Sequence, residues 1–513
     1  MPRMATGSGV ASLALATGAL LCQQPAPSPA SAIVVPKLWD DAVLAEWATP
    51  PAGLGVPPTH LSAERYYAAP VDNLRTYPVY HPSREPKGYR ESLLAKGPLP
   101  LIDEAALRTE ADWLAAGKRV FEELDTPASR TADPAVIAHF TDAAAIDRFR
   151  DAAHDTMTAD GVILDYRWVV DHDRKLKLTF TSCAGCHTRV LPDGSLLQGA
   201  PSNFDLGDSP AAGAMLKQLR LLPDQPRGRE LYLEFGVPWL ADDVHQKFAT
   251  MSGKELGALL GQDNGAPPGT TFNRFGGSPF FTTRMGDLRG LRDRRYLDAT
   301  GTHKNRGPED VARYAILVEY AESTDFGPHH LLPENAPRIV VRPPDAAVYA
   351  MALWLWSLDP APSPHAVDDE TRRGQGVFEA EGCAKCHKPP TYTDGLLVPV
   401  PGFDPPKDER TAQLHVAERR VDTDPGLALR TRKGTGYYRT PTLRGLWYRG
   451  LFGHCGEVAS LEDWFDERRL QADYVPTGFR GPGVKTRAVP GHEFGLDLEA
   501  ADKRALIAFL KTL

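Results

Sequence analysis

The chain has 513 residues, which is enough for two or three domains with sizeable cores. Its composition, 42% hydrophobic and 24% charged, is that of an ordinary globular protein and excludes collagenous and disordered classes. The net charge of −8, without a long basic block, argues against nucleic acid as a partner.

The first 32 residues have the features of a secretory signal peptide. Arg3 precedes a short apolar run, residues 10–21, which is too short to span a bilayer, and Ala30-Ser31-Ala32 fits a small-residue cleavage site. A disordered, Pro-rich tail is the alternative. The signal predicts a periplasmic or secreted protein, and no later stretch is apolar enough to predict a transmembrane segment.

Two C-x-x-C-H motifs follow, far apart in the chain. They consist of Cys183, Cys186, His187 and of Cys383, Cys386, His387. A zinc site would need four ligands near one another, and a thioredoxin-like dithiol would need a βαβ context that the sequence lacks. C-x-x-C-H is the attachment signature of haem c, in which both thiols bind the porphyrin and the histidine binds iron. The motifs therefore predict two covalently bound haem c groups.

The sequence around the motifs is a degraded repeat. GKRVF (117–121) resembles GQGVF (374–378), LRGL-x-x-R occurs at 288–294 and 443–449, and the apolar pattern of 353–358 matches that of 508–513. The second motif follows its GQGVF segment directly, whereas the first follows only after an inserted segment of about residues 122–180.

The repeat predicts a mainly α fold, with two cytochrome c-like haem domains, long loops and an N-terminal extension. The boundaries that it indicates are a signal peptide (1–32), an extension (33–103), haem domain 1 (104–358), a Pro-rich linker (359–368) and haem domain 2 (369–513).

The segment YYRTPTLRGLWYRGLFGHCGEVASLEDW, residues 437–464, carries a family resemblance. It is similar to the R-T-P-x-L-R-N … H-D/S-G … L-E-E segment of the bacterial dihaem cytochrome c peroxidase superfamily. That superfamily also includes the enzyme that matures the methylamine dehydrogenase cofactor and the dihaem rubber oxygenases. The resemblance covers about residues 105–513, and the wide spacing of the motifs looks more like the rubber-oxygenase branch than like compact peroxidases.

For haem 2, His387 is the predicted proximal ligand. No methionine occurs after Met351, so a methionine ligand from the same domain is excluded. His492, in a Gly-flanked turn before the closing helix, is the favoured sixth ligand, with His454 as the alternative. His454 occupies a family position that usually lies beside the haem, where a hydrogen bond to a propionate or to the backbone is the simpler role. Ligation by two histidines would fill both axial positions of haem 2 and make it an electron carrier with no position for substrate.

For haem 1, His187 is the predicted proximal ligand, and the sequence does not determine the distal ligand. The candidates are His245, His303, His329, His330 and Met285. Catalysis at iron needs an open or displaceable position, and haem 1 is that candidate by elimination. The resemblance implies a distal glutamate that moves a proton between peroxide oxygens, and Glu319 lies at a similar offset from the LRGL segment. An ordinary half-exposed helix residue is the alternative for Glu319.

The resemblance also implies an inter-haem tryptophan near Ala299, which this chain lacks. Tyr296 is the neighbouring substitute, and the other candidates are Trp239, Trp354 and Trp356. Relatives carry calcium at the domain interface, but the sequence does not indicate ligands for calcium.

The leading functional prediction is a periplasmic cytochrome c peroxidase-like enzyme. In it haem 1 would activate peroxide, and haem 2 would relay electrons from a small donor such as a cytochrome c or a cupredoxin. Two alternatives stay open: a rubber-oxygenase-like enzyme that uses O₂ to cleave an apolar alkene, and a dihaem electron carrier without catalysis. An apolar tunnel without a distal acid would favour the oxygenase, and a tightly capped haem 1 would favour the carrier.

Overall fold

The structure is a computed structural model. It describes residues 33–144, 146–147, 157–203, 225, 235–241, 247, 250–260, 267–271, 278–321, 325–330 and 339–513. The predicted signal peptide and His245 lie outside these residues.

Helices frame both halves of the chain. The α-helices are α1 (Asp41–Ala45), α2 (Ala63–Ala68), α3 (Tyr89–Lys96), α4 (Glu110–Glu123), α5 (Pro134–Thr141), α6 (Cys183–Cys186), α7 (Gly253–Leu260), α8 (Pro308–Glu319), α9 (Asp345–Ser357), α10 (Asp369–Ala380), α11 (Glu409–Ala412), α12 (Gly426–Leu429), α13 (Leu461–Trp464) and α14 (Ala500–Lys511). Short 3₁₀ turns lie at Glu104–Ala106, Pro127–Ser129, Leu291–Asp293, Cys383–Lys385 and Glu467–Leu470. Within the described part of the chain, no helix has the length and apolar character needed to cross a membrane.

The strands are short except in the inserted segment. They are β1 (Thr76–Tyr80), β2 (Val162–Val170), β3 (Leu176–Phe180), β4 (Thr188–Val190), β5 (Leu196–Gln198), β6 (Thr270–Thr271), β7 (Thr283–Arg284), β8 (Leu397–Pro399) and β9 (Tyr437–Arg439). β1, β2 and β3 form an antiparallel sheet in that order, and β4–β5, β6–β7 and β8–β9 form two-stranded pairs.

The first helix pair consists of α4 and α9. A capping box between Thr109 and Asp112 starts α4, and its apolar residues recur at helical spacing, so that one face is buried. Gly117 lies on that face, where an added Cβ would stand 2.1 Å from the Ala350 carbonyl oxygen of α9. The two backbones therefore touch at a point that only glycine permits.

The second helix pair, α10 and α14, repeats this arrangement. Asp368 and Thr371 form a capping box at the start of α10. An added Cβ on Gly374 would stand 1.9 Å from the Ala505 carbonyl oxygen of α14. Gly117 and Gly374 thus make the same contact in the two halves, as the aligned segments predict.

The inserted segment departs from the mainly α expectation because it forms a sheet. In β2 the apolar and β-branched residues favour a strand, and Trp168 lies opposite Tyr77 of β1 and Leu178 of β3. These side chains, with α5, bury a core of their own beside the first helix pair. The helical prediction therefore describes the helix pairs, and the segment between them follows strand patterning.

The two LRGL segments face each other across the boundary between the halves. The backbone N–H of Arg439 donates to the Ala299 carbonyl at 2.8 Å, and Arg444 pairs with Asp293 at 3.1 Å. The N-terminal extension spans the same boundary, since Thr49 N donates to Thr302 O of the first half and Ala52 N donates to Gly434 O of the second. Both halves are consequently held in one contiguous structure around these segments.

Candidate functional site

The second C-x-x-C-H motif sits on a tight turn directly after α10. Gly382, in the left-handed region at φ +72°, ends the helix and starts the 3₁₀ turn that carries Cys383. Burial, followed by the charge of Glu381, raises the pKa of Cys383 to about 11. A thiol with a raised pKa stays protonated, whereas reactive dithiols and zinc thiolates depend on a lowered one.

His387, at the end of this motif, is buried and oriented by backbone. Its Nδ1 lies 3.2 Å from the Tyr392 carbonyl oxygen and 3.1 Å from that of Pro441. Carbonyl oxygens only accept, so Nδ1 carries the proton and Nε2 keeps its lone pair for a metal. Burial lowers the pKa of His387, which favours this neutral, ligand-competent form.

His492 faces His387 across a gap. Their ring centroids are 6.4 Å apart with 61° between the ring planes. Two imidazoles on opposite sides of one metal, with bonds of about 2 Å, have ring centres roughly 6 Å apart. Nδ1 of His492 is buried without a hydrogen-bond partner among the described residues, and burial followed by the charge of His387 lowers its pKa to about 4. The pair therefore fits two axial ligands of one iron.

The turn that carries His492 is held under strain. Its φ is +49°, a region that non-glycine residues seldom adopt, and its N–H donates to the Asp422 carbonyl at 2.9 Å. The fully buried Arg469 donates to the carbonyls of Trp464, Val489 and His492 at 2.8, 2.6 and 3.0 Å. Sequence reasoning missed Arg469, because its partners are main-chain atoms that leave no side-chain motif.

His454 occupies a different environment from His492. Its ring stacks on Tyr438 at 3.5 Å and 2°, and its Nε2 lies 2.5 Å from the Thr423 hydroxyl. Burial lowers its pKa to about 3, so the ring is neutral. His454 is thus hydrogen-bonded, as its alternative to ligation predicts, but the partner is the Thr423 hydroxyl and not the expected backbone or propionate group.

The first motif lies on α6, against the inserted sheet. Thr181 N donates to the Asp165 carbonyl of β2 at 3.0 Å, and Ser182 N donates to the Leu124 carbonyl at 3.0 Å. His187 Nδ1 lies 2.8 Å from the Gly286 carbonyl oxygen. As with His387, a carbonyl only accepts, so Nδ1 carries the proton and Nε2 keeps its lone pair for a metal.

The contacts of the two proximal histidines are equivalent in the repeat. Gly286 stands two residues before Leu288, and Pro441 stands two residues before Leu443. Each LRGL segment therefore supplies the carbonyl that orients the histidine of its own half. This assigns a physical role to a repeat that was visible only as a pattern in the sequence.

The candidate distal ligands of the first half have other contacts. His303 is buried, with Nε2 3.1 Å from Nε2 of His60 and Nδ1 2.9 Å from the Thr302 hydroxyl. Met285 adjoins Gly286, which supports the proximal histidine, and its sulfur accepts from Ser202 at 3.5 Å. His329 is half-buried and contacts the ring of Trp239. His330 is exposed and pairs with Asp325.

Glu319 is half-buried at the C-terminal end of α8. The next residue, Tyr320, has a pKa raised well above its usual value, first by burial and then by the charges of Asp125, Glu319 and Cys183. The Tyr320 hydroxyl donates to the Asp125 carbonyl at 3.2 Å, and Asp125 pairs with Thr181 just before the first motif, so Glu319 lies near that motif in the chain's fold. Tyr320 was not singled out from the sequence.

The aromatic residues considered as substitutes for an inter-haem tryptophan lie in different places. Tyr296 is buried at the boundary, where it packs with Leu397 and Tyr437 of the second half. Trp354 instead packs on Phe121 within the first helix pair. In the described residues no group of three or more His, Cys, Asp or Glu is placed to hold a metal ion, so no calcium ligands are indicated there.

The residues of each motif fit haem c. Each presents two half-buried thiols on one turn, next to a histidine whose Nδ1 is fixed by backbone. In the second half His492, which faces His387 and whose buried Nδ1 has no hydrogen-bond partner among the described residues, is available as a second ligand.

No family model matches the chain. Two curated proteins, both called cytochrome-c peroxidase IdrP1, are similar to part of it. The one from Denitromonas iodatirespirans is 26% identical over 165 residues, and the one from Pseudomonas sp. (strain SCT) is 31% identical over 166 residues. Each match covers 29% of this chain and 41% of the relative, so the chain spans less than half of the length of these curated relatives.

Two solved structures are similar at a lower level. Hydrazine synthase of Kuenenia stuttgartiensis, studied under xenon pressure, has 15% identity and a TM-score of 0.28 over 57% of this chain and 87% of its own. A MauG-like protein associated with microbial copper homeostasis has 19% identity and a TM-score of 0.21 over 33% of this chain and 56% of its own. Similarity this weak carries no information about activity.

Proposed function

From the chain's resemblance to the dihaem cytochrome c peroxidase superfamily, which its motifs predict and the curated peroxidases support, we propose that it is a periplasmic dihaem oxidoreductase that reduces peroxide. The observation that carries this proposal is the pairing of His387 with His492 at 6.4 Å. With both imidazoles as ligands the second site would be closed to substrate, and the first of the two repeat-equivalent sites would be left for the reaction.

Haem c, when bound, supplies one-electron transfer and activation of an oxygen–oxygen bond at an open iron position. His387 and His492 are the residues that would hold a haem iron in the second site, which would leave substrate no position there and suit that site to electron relay. His187, whose Nδ1 is bound to the Gly286 carbonyl, would hold the haem of the first site through Nε2. Glu319 would accept a proton from one peroxide oxygen and deliver it to the other, so that water leaves.

A small electron-donor protein, such as a cytochrome c or a cupredoxin, would reduce the second site. Export to the periplasm is supported by the signal-like residues 1–32 and by the attachment motifs, which belong to exported cytochromes.

The first experiment is absorption and EPR spectroscopy of the purified haem-loaded protein, followed by turnover of hydrogen peroxide with a reduced donor protein. We expect one low-spin signal, one high-spin signal and donor oxidation that depends on peroxide. Two low-spin signals and no turnover, even after partial reduction, would leave an electron carrier. Oxygen consumption with cleavage of polyisoprene, and no reaction with peroxide, would establish the oxygenase alternative.

Glu319→Gln tests the proton-transfer role. Because the amide cannot carry the proton, we expect peroxide turnover to fall about 10²- to 10⁴-fold with both haems retained. Glu309→Gln is the matched control, since Glu309 is a half-buried glutamate at the other end of α8 and should leave the rate unchanged. Equal rates in the two variants would remove Glu319 from the mechanism.

A further inference from the structure

Four arginines gather where the two LRGL segments meet. Arg284 precedes Leu288 by four residues and Arg439 precedes Leu443 by four, while the other two end the LRGL-x-x-R pattern of their segments, Arg294 and Arg449. The repeated segment therefore begins four residues before LRGL, and its pattern in both halves is R-x-x-x-L-R-G-L-x-x-R. One arginine of each copy lies at Asp287, since Arg294 donates to its carbonyl and Nε of Arg449 is 3.9 Å from its carboxylate.

Arg439 is affected by the other three. Its pKa is lowered to about 9, first by burial and then by the positive charge of Arg294, with Arg449 and Arg284 also contributing. Arg294 is itself buried. Several like charges in a partly dry location are unfavourable unless anions accompany them.

The hydrogen bonds that these arginines make are mostly to main-chain carbonyls. Arg284 donates to the Leu451 carbonyl at 2.8 Å, Arg449 donates to that of Thr442 at 2.7 Å, and Arg294 donates to the carbonyls of Asp287 and Arg289. A carbonyl dipole orients a guanidinium group but does not neutralise it. In addition, three of the four arginines have a buried Nε without a hydrogen-bond partner among the described residues: Arg284, Arg294 and Arg449.

The carboxylates nearby already serve other donors. Asp287 accepts from the Tyr448 hydroxyl at 2.9 Å and from a backbone N–H, and its nearest approach to Arg449 is 3.9 Å. Glu457 accepts from Cys455 N at 3.0 Å. Asp298, which is near Arg439, likewise accepts from Thr300 and Thr302 N–H groups. Within the described part of the chain, the closest ion pair of any of the four arginines is therefore the 3.9 Å approach of Arg449 to Asp287.

We infer that these four arginines form an anion-binding centre for the carboxylate side groups of the two haems. The centre lies in the same two segments whose Gly286 and Pro441 carbonyls orient the proximal histidines. Each haem c carries two carboxylates, and each repeat copy supplies two arginines, so charge and number both match. Arginine is suited to this role because its planar fork binds carboxylates in a bidentate manner.

The inference has a consequence for the haems. Guanidinium groups beside the carboxylates add positive charge near both irons, which favours the reduced state and raises the reduction potentials. The centre would also tie both cofactors to the boundary between the halves. This inference rests on the proposed haem content but not on the proposed peroxide reaction.

The test is spectroelectrochemical titration of the haem-loaded full chain, with haem content measured by mass and by the pyridine haemochrome. Arg284→Gln and Arg439→Gln should each shift at least one reduction potential to more negative values while both haems stay attached. Arg439→Lys should restore part of the shift, since it keeps the charge and loses the fork. The propionate bands in the resonance Raman spectrum should move in the Gln variants.

The matched controls are the middle arginines of the same repeat copies. Arg444 pairs with Asp293 at 3.1 Å, and Arg289 donates to the carbonyls of Gln198 and Asp359. Arg444→Gln and Arg289→Gln remove the same charge outside the cluster and should leave the potentials unchanged. Unchanged potentials and Raman bands in the cluster variants, or equal shifts in the controls, would overturn the inference. A wild-type chain without haem would refute the proposed function instead, and should the Gln variants fail to fold, unchanged bands in Arg439→Lys would refute the inference.

Discussion

The two halves of the molecule share a proximal frame and differ on the opposite side. In each, a capped helix carries a glycine that touches the backbone of a closing helix, Gly117 and Gly374. In each, a C-x-x-C-H histidine is oriented by the carbonyl two residues before an LRGL segment. In the second half a half-buried histidine, His492, faces this frame.

This difference shows that the frame and the distal side are specified by separate parts of the sequence. His492 is delivered by a strained loop that Arg469 holds, after the LRGL segment and before the closing helix. In the first half the buried histidine, His303, is turned toward His60 of the N-terminal extension. The repeat therefore keeps the frame that orients the motif histidine in both halves, while the residues that face this frame differ between them.

Removing one attachment motif at a time gives the largest expected effect. Cys183→Ala with Cys186→Ala, and Cys383→Ala with Cys386→Ala, should each lower the covalent haem content from two to one per chain, because the thioether bonds cannot form. The first double variant should retain the low-spin signal and lose peroxide turnover. The second should retain the high-spin signal.

Haem extraction into acidified acetone separates covalent from adventitious haem in this test, and EPR identifies the remaining site. The wild-type chain treated in parallel is the control. Identical spectra from the two double variants would show that the halves do not differ as proposed.

Alanine at the two contact glycines tests the shared frame. Each added Cβ would overlap a carbonyl oxygen of the partner helix, so Gly117→Ala and Gly374→Ala should each lower the free energy of unfolding by about 3 kcal/mol or more. Urea unfolding of each variant measures the loss.

Gly376 provides the control on the same helix, α10. An added Cβ there would meet nothing within 4 Å, so Gly376→Ala should raise the free energy of unfolding by about 0.5–1 kcal/mol. A tolerated Gly117→Ala beside a damaging Gly374→Ala would mean that only the second half depends on the close helix contact.

The shared frame could be predicted from the sequence because it is local and repeated. Gly117 and Gly374 stand at matching places in matching segments, and both C-x-x-C-H motifs are complete within five residues. His492 also had a local signal, the Gly-flanked turn, and the structure places it opposite His387. Features of this kind depend on short-range pattern and on the absence of competing candidates, such as methionine.

The remaining features depend on contacts between distant segments. Arg469 binds main-chain atoms on two loops, and His60 meets His303 from the other end of the first half, so neither has a recognisable spacing. The sheet of the inserted segment pairs β1 of the extension with β2, which helical repeats elsewhere in the chain could not indicate. Such pairings are set by tertiary packing rather than by local preference.

The His60–His303 pair of the first half should make folding stability depend on pH. Burial lowers the pKa of His60 from 6.5 to about 4, and that of His303 lies well below its usual value. Between pH 6.5 and 4 the unfolded chain therefore binds more protons, so stability is complete above about pH 6.5 and falls by a few kcal/mol as the pH drops toward 4. Urea unfolding at several pH values measures the slope.

His60→Gln should reduce that slope, because one of the two imidazoles that must stay neutral in the folded state is gone. His365, which is exposed, supplies the control, and His365→Gln should leave the slope as it is. A slope that is the same in wild type and His60→Gln would show that other groups govern the acid response.

Loosening the loop of His492 should give the smallest effect, and it tests the difference between the halves most directly. Arg469→Gln removes donors to the Val489 and His492 carbonyls, so the imidazole should sample positions away from the metal. We expect part of the low-spin EPR signal to become high-spin, while covalent haem content stays at the wild-type value.

Arg468→Gln is the matched control, because Arg468 is the exposed neighbour that pairs with Asp466 and should leave the spectrum intact. If Arg469→Gln also leaves the low-spin signal intact, while His492→Ala abolishes it, the strained backbone of the turn is sufficient to place the ligand without its arginine support. If His492→Ala leaves the signal intact as well, His492 is not the ligand, and the closed character of the second site must come from another residue.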